Sequence, residues 1–345
     1  MSIVHVKPSE SENFSTDLLR RLYVEMLRIR LVEERIADLY AEKEMRCPVH
    51  LCIGQEAIPV GMSATLHRED VVLSGHRSHG HYLAKGGDLG RMFAEIYGKA
   101  SGCAKGKGGS MHLVDRSVGF LGATPIVASS IPIAVGAAFA AKRQHMNAVT
   151  IVYFGEGATE EGVVYESMNF AVLHNLSIVF VCENNRYSVY SPLSVRQPTT
   201  RDIIEIAEAH GCEGKRVDGN DVEAVYEASR QAVAKARSHG GPTFLECQTY
   251  RWREHCGPNF DNDLGYRHKS ETEHGQADCP IEYAKSELIR LGEYRDAWEC
   301  EQRDRISAQI EAAVQFAKRS PFPSREQVFH HVYDECAMTS EEQAA

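Results

Sequence analysis

The chain has 345 residues, of which 43% are hydrophobic, 25% charged and 8% aromatic, a composition typical of a globular protein with a substantial core. The formal net charge is −10, and no run of about 18 apolar residues occurs. These features argue against a nucleic-acid-binding protein and against a membrane-spanning one. The first twenty residues lack the pattern of an export signal or an organelle-targeting peptide, so we expect a cytoplasmic protein.

Ten cysteines are spread irregularly along the chain, and none of them forms a C-x-x-C pair. This spacing argues against a disulfide framework, which is typical of short secreted chains, and against a structural zinc site. We therefore expect reduced thiols, several of which act as small hydrophobic residues in the core.

The first half of the chain predicts mainly helices. Apolar residues recur at helical spacing after Ser15 and Thr16, either of which can cap the first helix. Residues 46–127 are rich in loops and glycine. Pro132 is tolerated in the first turn of a helix that we expect to be buried. The predicted helices are 15–43, 55–66, 88–98 and 129–143.

The middle of the chain predicts a parallel sheet. AVTIVYF (148–154) and SIVFVCE (177–183) are continuous apolar stretches, as expected for strands covered on both faces. A helix predicted at 159–174 joins them into a right-handed β-α-β unit. The alternation continues with a helix at 200–210, a strand near 215–217, a helix at 221–238 and a strand at 243–249. The pattern predicts an α/β protein with a doubly wound parallel sheet flanked by helices.

The end of the chain returns to helix at 281–319, and the last twenty or so residues predict a weakly ordered tail. We divide the chain into an N-terminal helical arm at 1–45, an α/β core at 46–270 and a C-terminal helical extension and tail at 271–345.

A glycine turn with an acid in it follows the first of the two apolar strands. Gly155-Glu156-Gly157 opens a helix, at the position where ligands bind in such sheets. A tight turn without a ligand is one interpretation. A dinucleotide fingerprint is another, but the next glycine is Gly162, which is too far along. The carboxylate would also repel a pyrophosphate unless a cation lay between them, so Glu156 is predicted to bind Mg²⁺ at a diphosphate site.

An asparagine pair follows the second apolar strand. Asn184-Asn185 by itself is usually only a turn. If the two strands are neighbours, however, these residues reach the same crevice as Glu156. An amide oxygen and a nearby main-chain carbonyl would then complete the magnesium shell.

These residues resemble a known motif. GEGATEEG followed by ENN is similar to the thiamine diphosphate motif of the alpha subunits of two-subunit 2-oxo acid and acetoin dehydrogenases. The resemblance extends over residues 20–290 and includes HLCIGQEAIPVG, HRSHGHYLAKG, YGKASGCAKGKGGSMH, RVDGND and QTYRWREH. It implies the thiamine diphosphate-binding fold, with the diphosphate and Mg²⁺ bound by this chain. It also implies a separate beta subunit, which supplies the glutamate that activates the pyrimidine. The two subunits are expected to form an alpha2-beta2 heterotetramer, and a lipoyl-bearing acyltransferase is expected as a further partner.

The resemblance carries over to individual residues. Glu156 takes the place of the acid that binds magnesium, where aspartate is commoner, and Asn185 and the main chain of Tyr187 match the other protein ligands. Arg77 matches the arginine that contacts the diphosphate, and a forked guanidinium suits phosphate. The other positions implied to bind the cofactor are His76, Gly155, Gly157, Ala158 and Ile126.

Two histidines are implied to be catalytic. His50 and His255 match active-site histidines that orient substrate and the lipoyl group and move protons, for which a pKa near neutrality is suited. His76 stands where many pyruvate enzymes have tyrosine, whereas acetoin-type relatives carry a similar His-Arg-x-His-Gly-His run. His79 and His112 are weaker candidates, because most of the 16 histidines must be ordinary packed residues.

Two loops need a separate interpretation. GCAKGKGGS (102–110) looks like a phosphate-binding P-loop, but its spacing is too short and Lys107 is followed by Gly108, so we interpret it as a subunit-packing or cofactor-flanking loop. Residues 255–268 match a loop that mammalian relatives regulate by serine phosphorylation, and Cys256 stands in place of that serine.

The implied activity is the formation of an acyl carbanion (enamine) from a 2-oxo acid, of the pyruvate or branched-chain type, or from acetoin, and its transfer to a lipoyl group. The altered residues at 253–258 leave open a thiamine-dependent carbon–carbon ligase that donates to an aldehyde or sugar. A non-catalytic scaffold is a third possibility. The presence of four residues opposes it: Glu156, Asn185, Arg77 and His255. The missing fingerprint disfavours an NAD-dependent oxidoreductase.

Overall fold

The computed structural model describes residues 14–331 of the chain. The strands are β1 (Val71–Ser74), β2 (Phe120–Ala123), β3 (Thr150–Gly155), β4 (Ile178–Asn184), β5 (Tyr187–Ser188), β6 (Ser191–Pro192), β7 (Glu213–Asp218) and β8 (Thr243–Gln248). Within this part of the chain, six strands form a parallel sheet in the order β2-β1-β3-β4-β8-β7. The strands β5 and β6 form a separate antiparallel hairpin.

Helices surround the sheet. They are α1 (Thr16–Tyr40), α2 (Ala57–Ser63), α3 (His79–Ala84), α4 (Leu89–Ile96), α5 (Ser130–Arg143), α6 (Gly162–Leu173), α7 (Leu193–Arg196), α8 (Ile203–Ala209), α9 (Val222–Arg237), α10 (Lys269–Ala277), α11 (Pro280–Arg290) and α12 (Asp296–Arg319). Short 3-10 turns span Arg116–Val118, Glu156–Glu160 and Arg325–Val328.

The sheet is covered on both faces, because successive residues of a strand point in opposite directions. In β3, Ile151 and Tyr153 join a hydrophobic cluster that includes α1, α2, α9 and α12. Val152 and Phe154 join a second cluster with α5, α6 and α8. The doubly wound parallel α/β fold predicted from the continuous apolar strands is therefore confirmed.

Several predicted elements agree closely with the structure. Helix α1 falls within the predicted range, and the Oγ of Ser15 caps it by accepting a hydrogen bond from the Leu18 N–H at 3.2 Å. The strands β3 and β4 are parallel neighbours joined by α6, which confirms the predicted β-α-β unit.

Other predictions differ from the structure in understandable ways. The helix expected at 281–319 is divided into α11 and α12 around Gly292, whose φ of 75° favours glycine. The strands β1 and β2 were not predicted within the loop-rich 46–127 stretch, because each has only four residues. Helix α5 was predicted to be buried, but this is wrong for one face, where Ile133 is 53% exposed. The sheet covers only the other side of this apolar helix.

The predicted boundaries at 45 and 270 stay predictions. Helix α1 packs against α11 and α12 and belongs to the same hydrophobic cluster as one face of the sheet. Most of the predicted tail, residues 332–345, lies outside the described part of the chain. Between residues 14 and 331, no helix is both long enough and apolar enough to cross a bilayer.

Candidate functional site

The predicted crevice lies where β3 and β4 end. Strand β3 ends at Gly155, and Glu156 begins the 3-10 turn that follows; β4 ends at Asn184, and Asn185 comes next. The two strands pair with Gly155 opposite Glu183. The expectation that the acid and the amide follow neighbouring strand ends is therefore confirmed.

The carboxylate of Glu156 has a counter-ion within the chain. Glu156 is 1% exposed, and the Nη2 of Arg196 donates a hydrogen bond to its Oε1. Arg196 also donates to Glu160 and, through Nε, to the main-chain oxygen of Ser191 at 3.1 Å. Burial raises the pKa of Glu156, and the charge of Arg196 opposes that rise. Sequence reasoning missed Arg196, because no local pattern links it to an acid forty residues earlier.

The amide after β4 is held by its neighbours. Asn185 is buried, and its Oδ1 accepts a hydrogen bond from the Tyr187 N–H at 3.1 Å. Its Nδ2 lies 3.5 Å from the Oε1 of Gln55. The hydroxyl of Tyr187 donates to Glu271 at 2.8 Å. These contacts fix the segment that carries both predicted ligands, whose binding of a metal stays a prediction.

The glycines of the turn have different surroundings. A Cβ at Gly157 would lie 2.9 Å from the Oγ of Ser188, so glycine lets the turn pack against β5. A Cβ at Gly155 would have no heavy atom within 4 Å, which leaves the main chain there accessible. Ala158 is buried, whereas Ile126 is 70% exposed. The contact of these four positions with a cofactor stays a prediction.

Three predicted histidines from distant segments meet at one place. His76 follows β1, and His50 lies beside the loop that carries His255, since the Gly257 N–H donates to the Val49 oxygen at 2.8 Å. The ring centres are 4.6 Å apart for His50 and His76, and 5.0 Å apart for His50 and His255. The third pair, His76 and His255, is separated by 5.3 Å. The fold therefore forms a cluster of three imidazoles, here called the histidine cluster.

Burial keeps the histidine cluster uncharged. It lowers the pKa of His50 to about 2, of His76 to about 3 and of His255 to about 4. The positive charge of Arg77 contributes further to each of these shifts. All three side chains are therefore neutral imidazoles at pH 7, each with a ring nitrogen that can accept a hydrogen bond.

Arg77 is a buried cation beside this cluster. Its Nη1 donates to the Leu51 main-chain oxygen at 2.7 Å, and its Nη2 donates to the His255 oxygen at 3.2 Å. Burial lowers its pKa to about 10, and the charge of Arg251 adds to this effect. Among residues 14–331, no carboxylate forms an ion pair with Arg77. A buried guanidinium without an acidic partner is suited to bind an anion.

The two weaker histidine candidates have ordinary structural roles. His79 is fully buried between Glu33, 3.1 Å from its Nδ1, and the Ser110 Oγ, 2.7 Å from its Nε2. His112 is exposed, and its Nδ1 lies 2.8 Å from the Gly108 oxygen. The first therefore anchors α3 behind His76 and Arg77, whereas the second stabilises its own loop.

The glycine-rich GCAKGKGGS loop encloses a carboxylate of this chain. The Glu95 carboxylate accepts hydrogen bonds from the N–H groups of Ala104 and Gly106 at 2.8 Å, and from those of Gly108 and Gly109 at 2.8 and 3.0 Å. Glu95 is fully buried. The likeness to a phosphate-binding loop therefore has a physical basis, but the anion in it belongs to helix α4.

The loop after β8 is stabilised by its own charges. Asp261 accepts a hydrogen bond from Arg267, and both side chains are buried. The guanidinium of Arg253 lies 3.9 Å from the ring centre of Phe260, while Cys256 is exposed. The unusual Arg253 is thus accounted for by packing within the loop.

Comparison with known proteins agrees with this geometry. The dehydrogenase E1 component family matches residues 24–326. The alpha subunit of acetoin:2,6-dichlorophenolindophenol oxidoreductase from Bacillus subtilis (strain 168) is 40% identical over 314 residues, which cover 90% of this chain and 92% of the relative. The pyruvate dehydrogenase E1 component subunit alpha from Rhizobium meliloti (strain 1021) is 37% identical over 318 residues, covering 92% and 90%. The chain therefore belongs to the dehydrogenase E1 component family.

Proposed function

We propose that this chain is the alpha subunit of a cytoplasmic, two-subunit dehydrogenase that uses thiamine diphosphate and Mg²⁺ to act on a 2-oxo acid or on acetoin. The main support is that two buried residues, Glu156 and Asn185, follow the ends of neighbouring strands in a chain of the dehydrogenase E1 component family. Relatives named for acetoin and for pyruvate support both substrates.

The residues at the crevice fit both parts of such a cofactor. Mg²⁺ takes oxygen ligands, commonly one or two carboxylates together with phosphate oxygens and water. The Glu156 carboxylate, the Asn185 side-chain oxygen and the Tyr187 main-chain oxygen offer such ligands. Arg77, buried without an acidic partner, fits the diphosphate. The main chain at Gly155 is open to a ligand on its Cα side.

The histidine cluster offers neutral imidazoles to the substrate. When bound, thiamine diphosphate supplies a nucleophilic carbon and an electron sink for the substrate carbonyl. His50 and His255 are neutral at pH 7 and can accept a hydrogen bond from the reacting group, but burial and Arg77 hold their pKa values at about 2 and about 4, below the near-neutral pKa that suits proton transfer. An anion bound at Arg77 would offset part of that positive charge and raise both pKa values. Arg77 donates to the His255 main-chain oxygen and thereby holds that loop close to the end of β1. His76 closes the cluster on the side of β1.

A partner subunit completes the proposal. We infer a beta subunit in a separate chain, because the relatives are named as alpha subunits. Apolar residues that follow β2, at the same end of the sheet as the crevice, fit such a contact: Ile126 is 70% exposed and Val127 51% exposed. An alpha2-beta2 heterotetramer and a lipoyl-bearing acyltransferase belong to the same proposal. Arg253 and Glu254 bond within their own loop, so they do not favour a ligase.

Reconstitution tests the proposal. The purified chain is mixed with its beta partner, Mg²⁺ and thiamine diphosphate, and oxidation of acetoin, pyruvate and branched-chain 2-oxo acids is followed with 2,6-dichlorophenolindophenol. We expect activity only in the complete mixture, and none with the chain alone. Complete turnover by the isolated chain would contradict the two-subunit proposal. Tight assembly with beta, without cofactor binding or activity on any substrate, would instead support a scaffold.

A further inference from the structure

The histidine cluster has the geometry of a metal site. One nitrogen from each of His50, His76 and His255 lies within 4.8 Å of the other two. The Nδ1 of His50 is buried and has no hydrogen-bond partner among residues 14–331. A buried polar atom without a partner is costly, so these rings are arranged to receive a ligand.

The donor set selects the kind of ion. Three imidazole nitrogens suit Zn²⁺, Co²⁺, Ni²⁺ and Cu²⁺, whereas Mg²⁺ prefers oxygen. Zinc–nitrogen bonds of about 2.0–2.1 Å in a tetrahedron place the nitrogens roughly 3.4 Å apart. The nitrogens must therefore approach one another by about 1.4 Å at most. His255 lies in the loop after β8 and can supply this movement.

We propose that His50, His76 and His255 form a binding site for a zinc-class transition-metal ion, and that this ion inhibits the enzyme by occupying the imidazoles that substrate needs. Three protein ligands leave a fourth position open, as in zinc sites that bind an exogenous ligand. The site is separate from the predicted magnesium site, whose donors are the oxygens of Glu156 and Asn185. The inhibitory part rests on the proposed function, but the binding part does not.

The charges around the histidine cluster favour an anion as the fourth ligand. Arg77 and Arg251 act on the cluster with positive charge, which opposes a dication. The carboxylate of Asp261 offsets part of this charge at His255. An anion in the open position offsets more of it, so we expect the bound ion to carry hydroxide or chloride.

Cobalt binding to the purified full-length chain tests the site without any need for activity. Co²⁺ is titrated in the presence of excess Mg²⁺ and followed by visible absorption, and Zn²⁺ competition then gives its affinity. We expect one ion per chain with the intense bands of a four-coordinate cobalt. His76→Phe keeps a ring of similar size but removes one ligand. It should weaken binding by at least about tenfold, because even the hydrogen-bond partners of ligands are worth roughly 10–100-fold.

Two further variants complete this test. His112→Phe changes an exposed histidine outside the cluster and should leave binding unchanged. His255→Ala should weaken binding as His76→Phe does, and it provides a second reading if one variant folds poorly. Equal affinity in the wild type and His76→Phe would overturn the proposal, as would displacement of cobalt by Mg²⁺ or only the weak bands of six-coordinate cobalt.

The reconstituted enzyme tests inhibition separately. Zn²⁺ should inhibit competitively with the oxo or acetoin substrate, and a chelator should restore activity. Inhibition that is non-competitive, or that persists in His76→Phe at the same zinc concentration, would overturn the inhibitory part. An enzyme without activity would overturn the proposed function, while the cobalt spectra would still decide whether the metal site exists.

Discussion

The candidate site has two halves that differ in how buried charge is balanced. The first half is the crevice after β3 and β4, with Glu156 and Asn185, and the second is the histidine cluster with Arg77 beside β1. After β3, the Glu156 carboxylate is paired with Arg196, which it shares with Glu160. Beside β1, Arg77 is buried against main-chain oxygens, and the histidine cluster is kept neutral. The first half must therefore exchange a counter-ion to bind a metal, whereas the second can accept an anion without losing an ion pair.

The largest effect is expected in the second half. His255→Ala should slow substrate turnover by about 10²–10⁴-fold, the usual contribution of a positioned acid or base. Its cofactor affinity should stay close to that of the wild type, because the predicted diphosphate and metal contacts come from other residues. Steady-state rates of the reconstituted enzyme and calorimetric titration with thiamine diphosphate measure the two quantities.

The matched control for this variant is His112→Ala, which removes an exposed histidine and should change neither quantity. If His255→Ala lost cofactor affinity in parallel with turnover, the residue would support the loop and not the chemistry.

In the first half, we expect a substitution to weaken cofactor binding. Glu156→Ala removes a buried ligand and leaves Arg196 without its carboxylate, which should cost about 3 kcal/mol or more, or over 100-fold in Mg²⁺-dependent cofactor affinity. Isothermal titration of thiamine diphosphate at fixed Mg²⁺ measures the loss. Glu160→Ala is the control, since Glu160 also pairs with Arg196 but is not a predicted ligand. Comparable losses in the two variants would show that the ion pairs, and not the metal, hold the turn.

The first half was also the more predictable of the two. Continuous apolar runs identified β3 and β4, and parallel neighbours necessarily bring their carboxyl ends together. Glu156 and Asn185 could thus be placed in one crevice from local patterns alone. The histidine cluster could not, because His50 and His255 are 205 positions apart in the sequence and only the family resemblance connected them.

Other parts of the site left no trace in the sequence. Arg196 reaches Glu156 from a four-residue helix, and Glu95 reaches into a glycine loop that looked like a phosphate site. Such pairings depend on side-chain reach between elements and have no periodicity to detect. The strands β1 and β2 were missed for a related reason, since four residues are too few to show alternation.

Arg77→Lys probes the buried cation that has no ion-pair partner among residues 14–331. Lysine keeps the charge but loses the forked donors, so thiamine diphosphate affinity should fall by about tenfold, near the value of one charged hydrogen bond. Calorimetry with thiamine diphosphate and with inorganic pyrophosphate should show the same loss. The affinity for Mn²⁺ alone should not change, because Arg77 faces the predicted diphosphate and not the metal. A loss confined to Mn²⁺ would reverse this assignment.

The neutral histidines should make the protein sensitive to acid. The pKa of His76 is about 3 in the folded chain and 6.5 without the fold, so between these values the unfolded chain takes up a proton that the folded chain refuses. Stability should therefore fall as the pH drops below 6.5, by up to about 1.4 kcal/mol per pH unit for one such group. His76→Phe should flatten this slope between about pH 6 and pH 4. Urea unfolding at a series of pH values, with a chelator present, measures the free energy of unfolding and hence this slope. An unchanged slope in His76→Phe would exclude His76 as the cause of the acid sensitivity.

Arg196→Gln should have the smallest effect and the opposite sign. In the metal-free chain Arg196 neutralises Glu156, and a bound divalent ion would take over that task, so losing Arg196 destabilises only the metal-free form. The affinity for Mn²⁺ should therefore rise, by about threefold to tenfold, roughly the net contribution of one hydrogen bond. Arg237→Gln is the control, because it breaks a comparable ion pair with Asp70. Asp70 comes just before β1, at the opposite end of the strands from Glu156, so this variant should lower stability without changing the affinity for Mn²⁺. Weaker Mn²⁺ binding in Arg196→Gln would mean that the guanidinium orients the carboxylate for the metal and does not compete with it.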